Sequence, residues 1–485
     1  MFKHMLHDPG LLRRQAFFAG AWRDAENGDT LTIQDPATGE ALATVPALGA
    51  EETRQAIDSA EAVRASWAAT PNARRAALLE AWHQLIVQHE ADLAVLMTAE
   101  QGKPLAEALG EVRYGASFVK WFAEEARRIY GETIPAPGSD RRILVLKQPV
   151  GVAAAITPWN FPIAMITRKV APALAAGCPV IVKPSELTPL SALALMELAR
   201  RAGIPDNVIQ VLTGLPQAIG ETLTASPLVR KISFTGSTRV GQLLMRQSAD
   251  SVKRLSLELG GNAPLIVFDD ADLDLAIAGV MSSKFRNAGQ TCVCANRILV
   301  QRGIYAAFTE RLLAAVAALK VGNGFDDGVT IGPLINPAAV AKVNAHIDDA
   351  LSQGAGLLAG GIARGPGTFV APTVLTEVTP AMRIAREETF GPVAPLFPFD
   401  SEDEAIAMAN DTPFGLGAYF FTEDMRRVWR VGEKLEFGMV GYNTGIISME
   451  TAPFGGVKLS GIGREGAHQG LDEYLELKTF HFGGL

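Results

Sequence analysis

Cysteines and long apolar runs are scarce in this sequence of 485 residues, and each scarcity excludes a class of protein. Three cysteines are too few for the disulfide framework of a small secreted protein. No run of about 18 uninterrupted apolar residues appears, so no membrane-spanning helix is expected. The first residues also lack the apolar segment and small-residue cleavage site of a secretory signal peptide. We therefore expect a protein of the reducing cytoplasm.

An excess of positive charge is absent as well. The chain has 44 Lys and Arg residues against 52 Asp and Glu residues, which gives a net charge of −8. Such a chain has no general electrostatic reason to bind nucleic acid or an anionic membrane. Hydrophobic residues make up 48% and charged residues 20%, which is typical of a globular protein and excludes a disordered one. The length predicts several domains of roughly 100–200 residues each.

Periodicity divides the chain into a helical first part and an α/β remainder. The first part has helical patterns from Glu51 to Ala69, from Pro71 to Gly102 and from Tyr114 to Tyr130. From residue 143 onwards, apolar runs such as VAAAIT (152–157) and CPVIVK (178–183) alternate with helix-length segments. A second such stretch starts near Leu255. This alternation predicts doubly wound parallel sheets whose ligands bind at the carboxyl ends of the strands.

Three segments resemble ligand-binding motifs, each weakly on its own. GIGREG (461–466) matches a dinucleotide fingerprint, but no buried strand precedes it and no βαβ unit follows, so a turn-rich loop is the better interpretation. SFTGSTRVG (233–241) joins a strand to a helix, where Gly236 and Ser237 suit either phosphate binding or ordinary helix capping. VIVKPSE (180–186) places Lys183 and Glu186 at a strand end, as cofactor ligands or as a surface ion pair.

Cys292 and Cys294 lie one residue apart in the segment NAGQTCVCANR (287–297). A metal site is not expected, because no second cysteine pair exists and the seven histidines are scattered. Core packing and nucleophilic catalysis both remain open. Catalysis requires a base within reach, and Glu258 and the amide of Asn160 each follow a predicted strand. Cysteine, carboxylate and amide would meet in one crevice at the strand ends.

Eight segments, spread over nearly the whole chain, resemble the NAD(P)-dependent aldehyde dehydrogenases. They are PWNFP, KPSE, FTGST, LELGGN, GQTC followed by ANR, EETFGP, PFGG and SGIGRE. Each is modest evidence alone, but eight in the same order are specific to the family. The resemblance implies an α/β fold of two doubly wound Rossmann-like domains with a β oligomerisation arm. It also identifies GIGREG as part of the family's C-terminal segment rather than as a phosphate loop.

The resemblance implies a division of the chain into three units. Residues 1–123 and 146–258 would form the cofactor-binding domain, and residues 259–470 the catalytic domain. Residues 124–145 and 471–485 would form the arm of a homodimer or homotetramer. The last strand would then cross a subunit edge, or else dock within its own chain.

The resemblance also implies the chemistry. Cys292 would attack the aldehyde carbonyl, and Asn160 would stabilise the oxyanion together with the backbone N–H of Cys292. Glu258 would activate the water that hydrolyses the thioester, which argues for a free acid as product. Cys294 is interpreted as a passive neighbour. The alternative is a reversible disulfide with Cys292, which would be strained and reducible at this spacing.

Further residues are assigned to the cofactor by the resemblance. Lys183 and Glu186 would hold the adenine ribose, Ser237 the pyrophosphate and Glu388 the nicotinamide ribose. A carboxylate at Glu186 would repel a 2′-phosphate, with Lys183 and Ser185 offsetting this in part, so NAD is favoured and NADP is the alternative. The remaining residues expected at the cofactor are Trp159, Gly236, Leu259 and Phe390.

Three residues bear on the substrate. Arg168, Arg286 and Ser448 match the succinate-semialdehyde dehydrogenase subgroup, in which two arginines and a serine bind a distant carboxylate. Without a role in binding, Arg168 would be a surface charge and Arg286 would offset a helix C-terminus.

We therefore expect succinate semialdehyde as the substrate, with glutarate semialdehyde close behind because one methylene discriminates by only about 1–3 kcal/mol. The alternatives are a dehydrogenase of neutral aldehydes and a non-catalytic binding member of the fold.

Overall fold

The structure is a computed structural model that describes residues 2–363 and 367–484.

The first sheet contains a run of parallel strands. Within these ranges the first sheet has eight strands, which are, in spatial order, β2 (Ala21–Arg23), β1 (Ala16–Phe18), β9 (Ile209–Val211), β8 (Val180–Lys183), β7 (Val152–Ile156), β10 (Val229–Thr235), β11 (Arg254–Glu258) and β21 (Gly461–Ile462). The five strands from β9 to β11 run parallel. Their apolar sequences are buried on both faces, as the pattern predicts.

Eight helices belong to this half of the described chain. They are α1 (Ala50–Ala69), α2 (Asn72–Gln88), α3 (Glu90–Gln101), α4 (Leu105–Glu125), α5 (Ala164–Ala176), α6 (Pro189–Arg201), α7 (Pro216–Ala225) and α8 (Thr238–Ser248). The predicted helix from Pro71 to Gly102 is in fact two helices, because His89 leaves helical geometry at φ −105° and ψ 21°. The helix that was predicted to begin at Tyr114 already begins at Leu105.

The second sheet is also largely parallel. In the described ranges it has seven strands, in the order β14 (Gly356–Ala359), β15 (Thr373–Thr376), β16 (Val393–Phe399), β13 (Ala295–Gln301), β12 (Ala263–Val267), β18 (Gly417–Phe421) and β19 (Met439–Tyr442). Its helices are α9 (Leu273–Val280), α10 (Tyr305–Ala317), α11 (Pro337–Ser352), α12 (Arg383–Arg386), α13 (Glu402–Asn410) and α14 (Met425–Lys434). A π-helical turn, Met281–Phe285, follows α9 and leads to the cysteine segment.

The C-terminal strand lies in a small antiparallel sheet. β22 (Leu475–Gly483) pairs with β6 (Arg141–Pro149) of the same chain, and β6 also pairs with β5 (Glu132–Ile134). Docking within one chain is therefore the arrangement that the structure shows. The remaining short elements are the hairpin of β3 (Thr30–Gln34) and β4 (Ala41–Pro46), the pair of β17 (Phe414–Gly415) and β20 (Val457–Lys458), and α15 (Ala467–Asp472).

No helix in the described ranges is both long enough and apolar enough to cross a membrane.

Candidate active site

A cavity of about 290 Å³ lies where the carboxyl ends of β7, β10 and β11 meet the cysteine segment. Most of the side chains assigned from the sequence line this one cavity. They are Trp159, Asn160, Arg168, Gly236, Ser237, Leu259, Arg286, Cys292, Glu388, Phe390 and Ser448. Four assigned residues are not part of its lining, namely Lys183, Ser185, Glu186 and Glu258.

The segment before Cys292 has an unusual backbone. Asn287, Ala288 and Gly289 all have positive φ angles, of 51°, 54° and 75°. Two of these residues are not glycine, and such strain persists only where the surrounding structure enforces it. Behind the segment lies Gly261, where a Cβ atom would come within 2.4 Å of the Cys292 carbonyl oxygen. The close approach of the segment between β11 and β12 to the loop that carries Cys292 thus requires a glycine at position 261.

Cys292 lines the cavity and is partly buried. Burial raises the pKa of the Cys292 thiol to about 12, and the positive charge of Arg168 opposes this rise. Glu388 adds to the rise as a nearby negative charge. The thiol therefore keeps its proton at neutral pH, and its attack on a carbonyl needs a base.

Glu258 ends β11 and is buried close to the cavity. Neither of its carboxyl oxygens has a hydrogen-bond partner among the residues that the structure describes. Burial and the neighbouring charge of Glu465 raise the pKa of Glu258 well above its ordinary value, while Arg168 opposes the rise. A buried carboxyl group whose pKa is raised binds a proton more readily than a free carboxylate does, which suits a general base.

Asn160 connects two loops of the site. Its Nδ2 donates to the backbone oxygen of Gln290 at 3.0 Å, two residues before Cys292. Its own backbone oxygen accepts from Lys103 Nζ at 2.8 Å and from Asn287 Nδ2 at 3.0 Å. These bonds fix the amide beside the loop that carries Cys292, and an amide N–H is a group of the kind that stabilises an oxyanion.

The two arginines differ in their surroundings. Arg168 is 1% exposed, so it is not a surface charge; its Nε donates to Glu465 at 2.5 Å and its guanidinium lies 4.1 Å from the centre of the Phe454 ring. Arg286 lies 5.3 Å from the centre of the Phe161 ring and forms no ion pair within 4.0 Å in the described part of the chain. Its side chain is thus available to an anionic ligand in the cavity.

The groups assigned to the cofactor occupy strand ends and a helix start. Lys183 Nζ lies 3.2 Å from Glu186 Oε2 at the end of β8, where Ser185 is buried. Ser237 caps α8 by accepting from Val240 N at 3.4 Å. Hydroxyl, ammonium and carboxylate groups at a strand-end cleft with a helix N-terminus fit the ribose and pyrophosphate of a dinucleotide.

Glu388 and two aromatic rings lie toward the cysteine side of this cleft. Glu388 accepts from Gly261 N at 3.1 Å, and burial raises its pKa to about 7. Trp159 and Phe390 meet edge to face, with ring centres 5.6 Å apart.

Cys294 does not line the cavity. Its sulfur accepts a hydrogen bond from the buried Lys284 Nζ at 3.3 Å, and all three cysteines are free thiols in this structure. This arrangement accords with the interpretation of Cys294 as a neighbour of the nucleophile, and the disulfide alternative stays untested.

Sequence reasoning missed three residues of the site. Tyr114 lines the cavity from α4, although the helical pattern gave it no role. Glu465 and Lys169 form a buried ion pair beneath the cavity, and Glu465 also binds Arg168. The motif SGIGRE contained Glu465, but its role depends on side chains of α5 that lie far away in the sequence.

Comparison with known proteins identifies the family. Residues 22–480 match the aldehyde dehydrogenase family. A glutarate-semialdehyde dehydrogenase of Pseudomonas putida is 59% identical over 98% of both chains. The succinate-semialdehyde dehydrogenase [NADP(+)] GabD of Escherichia coli is 58% identical over 99% of both chains.

The solved structure of a succinate-semialdehyde dehydrogenase from Burkholderia pseudomallei is 58% identical, covers 99% of both chains and has a TM-score of 0.98. The fold that the sequence predicts is confirmed by this likeness. The chain belongs to the aldehyde dehydrogenase family.

Proposed function

We propose that the protein oxidises a short-chain aldehyde with a carboxylate at its far end, and that succinate semialdehyde is the first choice. The observation that carries this proposal is that Cys292 lines the same cavity as Arg168, Arg286 and Ser448. Arginine suits a carboxylate because its planar fork forms two parallel hydrogen bonds. The aldehyde end would then face the thiol while the carboxylate lies against the arginines.

The first step is attack by Cys292 on the aldehyde carbon, which forms a thiohemiacetal. Because the pKa of the thiol is raised, Glu258 is the base that takes its proton. The oxyanion is stabilised by Asn160 Nδ2 and by the backbone N–H of Cys292, and one such donor contributes about 3 kcal/mol to lowering the barrier. A bound nicotinamide dinucleotide supplies the hydride acceptor, and Lys183, Glu186, Ser237 and Glu388 would hold it.

Oxidation of the adduct leaves a thioester on Cys292. Glu258 first releases to solvent the proton that it took from Cys292. The deprotonated Glu258 then removes a proton from a water molecule, which attacks the thioester carbon and expels the thiolate, and Glu258 returns this proton to the sulfur. The product is a free carboxylic acid, and the thiol regains a proton. The carboxyl oxygens of Glu258 suit this role because no protein group in the described ranges already binds them.

We infer that NAD is preferred over NADP. Glu186 is half-buried beside Lys183, and its carboxylate can accept from a 2′-hydroxyl but repels a 2′-phosphate. NADP is the alternative, because a relative at 58% identity carries NADP(+) in its name. Initial rates with each cofactor decide between them, and Glu186→Gln should shift the ratio toward NADP. An unchanged ratio would exclude Glu186 as the discriminating residue.

We also infer that the chain assembles as a homo-oligomer through the sheet of β5, β6 and β22. The exposed faces of this sheet carry Leu477 and Phe480, which are 68% and 40% exposed. Apolar side chains on a sheet face suit burial against a second copy. The cytoplasmic location expected from the sequence stays a prediction.

Formation of reduced cofactor with succinate semialdehyde, glutarate semialdehyde and propanal tests the proposed function. We expect fast turnover of the two carboxylated aldehydes and slow turnover of propanal, with Cys292→Ser inactive on all three. Equal turnover of propanal would reject the arginine site in favour of a dehydrogenase of neutral aldehydes. No turnover of any aldehyde with either cofactor would favour a non-catalytic member of the family.

A further inference from the structure

Tyr114 lines the cavity and has a buried hydroxyl group. The residue lies in the middle of α4, and its ring packs edge to face against Phe118 with the ring centres 4.9 Å apart. Within the described ranges the Tyr114 hydroxyl donates a hydrogen bond to no protein group. A buried hydroxyl group without a partner is unfavourable, and packing alone would be served equally well by phenylalanine.

The surroundings of this hydroxyl identify the kind of partner it lacks. Burial raises the pKa of the Tyr114 phenol, while the positive charges of Arg168 and Arg286 and hydrogen bonding to the phenol oxygen from Arg168 and Ser448 oppose that rise. The phenol therefore keeps its proton at neutral pH and can donate it. All four groups line the same cavity, and each offers a hydrogen-bond donor. Converging donors of this kind fit an anionic oxygen acceptor.

The ion pair between Arg168 and Glu465 makes the Tyr114 donor more important. The Nε of Arg168 is already bound to Glu465, so part of that guanidinium is committed to the protein. Arg286 and the Tyr114 hydroxyl have no such commitment in the described part of the chain. A carboxylate at this end of the cavity could therefore accept hydrogen bonds from both Arg286 and the Tyr114 hydroxyl.

We propose that Tyr114 is a specificity-determining residue, which donates a hydrogen bond to the distal carboxylate of the substrate. This inference rests on the proposed function and adds to it a residue outside the two arginines and the serine. A neutral aldehyde of the same length leaves the Tyr114 hydroxyl unpaired. Tyr114 thus favours the carboxylated aldehyde and disfavours the uncharged one.

The substitution Tyr114→Phe removes this one hydroxyl and retains the ring that packs on Phe118. We expect kcat/KM for succinate semialdehyde to fall by about tenfold or more, mainly through KM, because a hydrogen bond to a charged group is lost. We expect kcat/KM for butanal to stay the same or rise. Inhibition by succinate, which presents the same carboxylate, should weaken by a similar factor.

Tyr130→Phe is the matched control, because Tyr130 is 69% exposed and lies outside the cavity. An equal fall in kcat/KM for both aldehydes would reveal a general structural role and overturn the inference. An unchanged ratio of the two aldehydes in Tyr114→Phe would overturn it as well. If the unsubstituted enzyme already shows no preference for succinate semialdehyde over butanal, the proposed function fails and the role of Tyr114 fails with it.

Discussion

At the scale of single residues, the site depends on groups whose pKa values are shifted by burial. The Cys292 thiol and the Glu258 carboxyl group both have raised pKa values, so both hold protons more tightly than they would in water. A thiol with a raised pKa is inert until a base removes its proton. If Cys292 and Glu258 have the roles we propose, the thiol is protected in the resting enzyme and its reactivity depends on Glu258.

The pH dependence of the rate should report this coupling. Glu258 acts as a base only when it is deprotonated, so kcat/KM should fall as the pH drops below its raised pKa. In Glu258→Gln this acid limb should disappear, and kcat should fall by about 10²–10⁴-fold. Profiles of kcat/KM against pH for the two proteins check this, with the surface variant Glu80→Gln as control. An acid limb that persists unchanged in Glu258→Gln would assign it to another group.

At the scale of elements, the site is formed where strand ends and tight loops meet. The positive φ angles of residues 287–289 turn the chain after the π-helical turn, and Gly261 lets the segment before β12 approach the loop that follows. Neither feature contributes a reacting atom. Both determine where the sulfur of Cys292 lies relative to Asn160.

Gly261→Ala tests this positioning. The new Cβ atom would lie 2.4 Å from the Cys292 carbonyl oxygen, so the loop must move. Because a displacement of about 1 Å can cost about 100-fold in rate, we expect a loss of that size in kcat. Gly110→Ala, in the exposed part of α4, has no atom within 4 Å of the new Cβ and should leave the rate unchanged. A fully active Gly261→Ala protein, measured by cofactor reduction, would contradict this account.

Sequence patterns predicted the parallel strands well because each is a short, continuous apolar run. They failed where no local signal exists. His89 breaks a helix without a proline or glycine at that position, and the apolar pattern continues across it. Tyr114 and Glu465 were missed for a related reason, since their partners come from other elements. The residues of the site were assigned from the family resemblance. A resemblance indicates which residue stands at a position, but it does not show which side chains meet, such as Arg168 and Glu465.

At the scale of the whole molecule, two parallel sheets meet at the cavity, while a third, antiparallel sheet stands apart from the chemistry. The third sheet joins β22 to β6 over nine residue pairs, from Leu475↔Pro149 to Gly483↔Arg141. Most residues of β22 are exposed in the single chain. The sheet is therefore well formed within one chain and has apolar surface left for contact with another.

Leu477→Glu should weaken the assembly. Light scattering after size exclusion should give a multiple of 51.5 kDa for the unsubstituted protein and a smaller mass for the variant, because a buried charge at an interface is costly. Lys478→Gln, on the same strand, should leave the mass unchanged. A mass of 51.5 kDa for the unsubstituted protein would show that the chain works as a monomer.

The most direct test of the central claim is a single-turnover measurement on Glu258→Gln with succinate semialdehyde and NAD. If Cys292 is the nucleophile and Glu258 the base of both steps, the thiol of Glu258→Gln loses its proton only slowly to solvent, so one reduced cofactor should form slowly per active site before turnover stops at the thioester. Mass spectrometry of the stopped protein should then find one succinyl group on the peptide that contains Cys292. Steady turnover at the rate of the unsubstituted enzyme, or a burst that leaves Cys292 unmodified, would contradict the account.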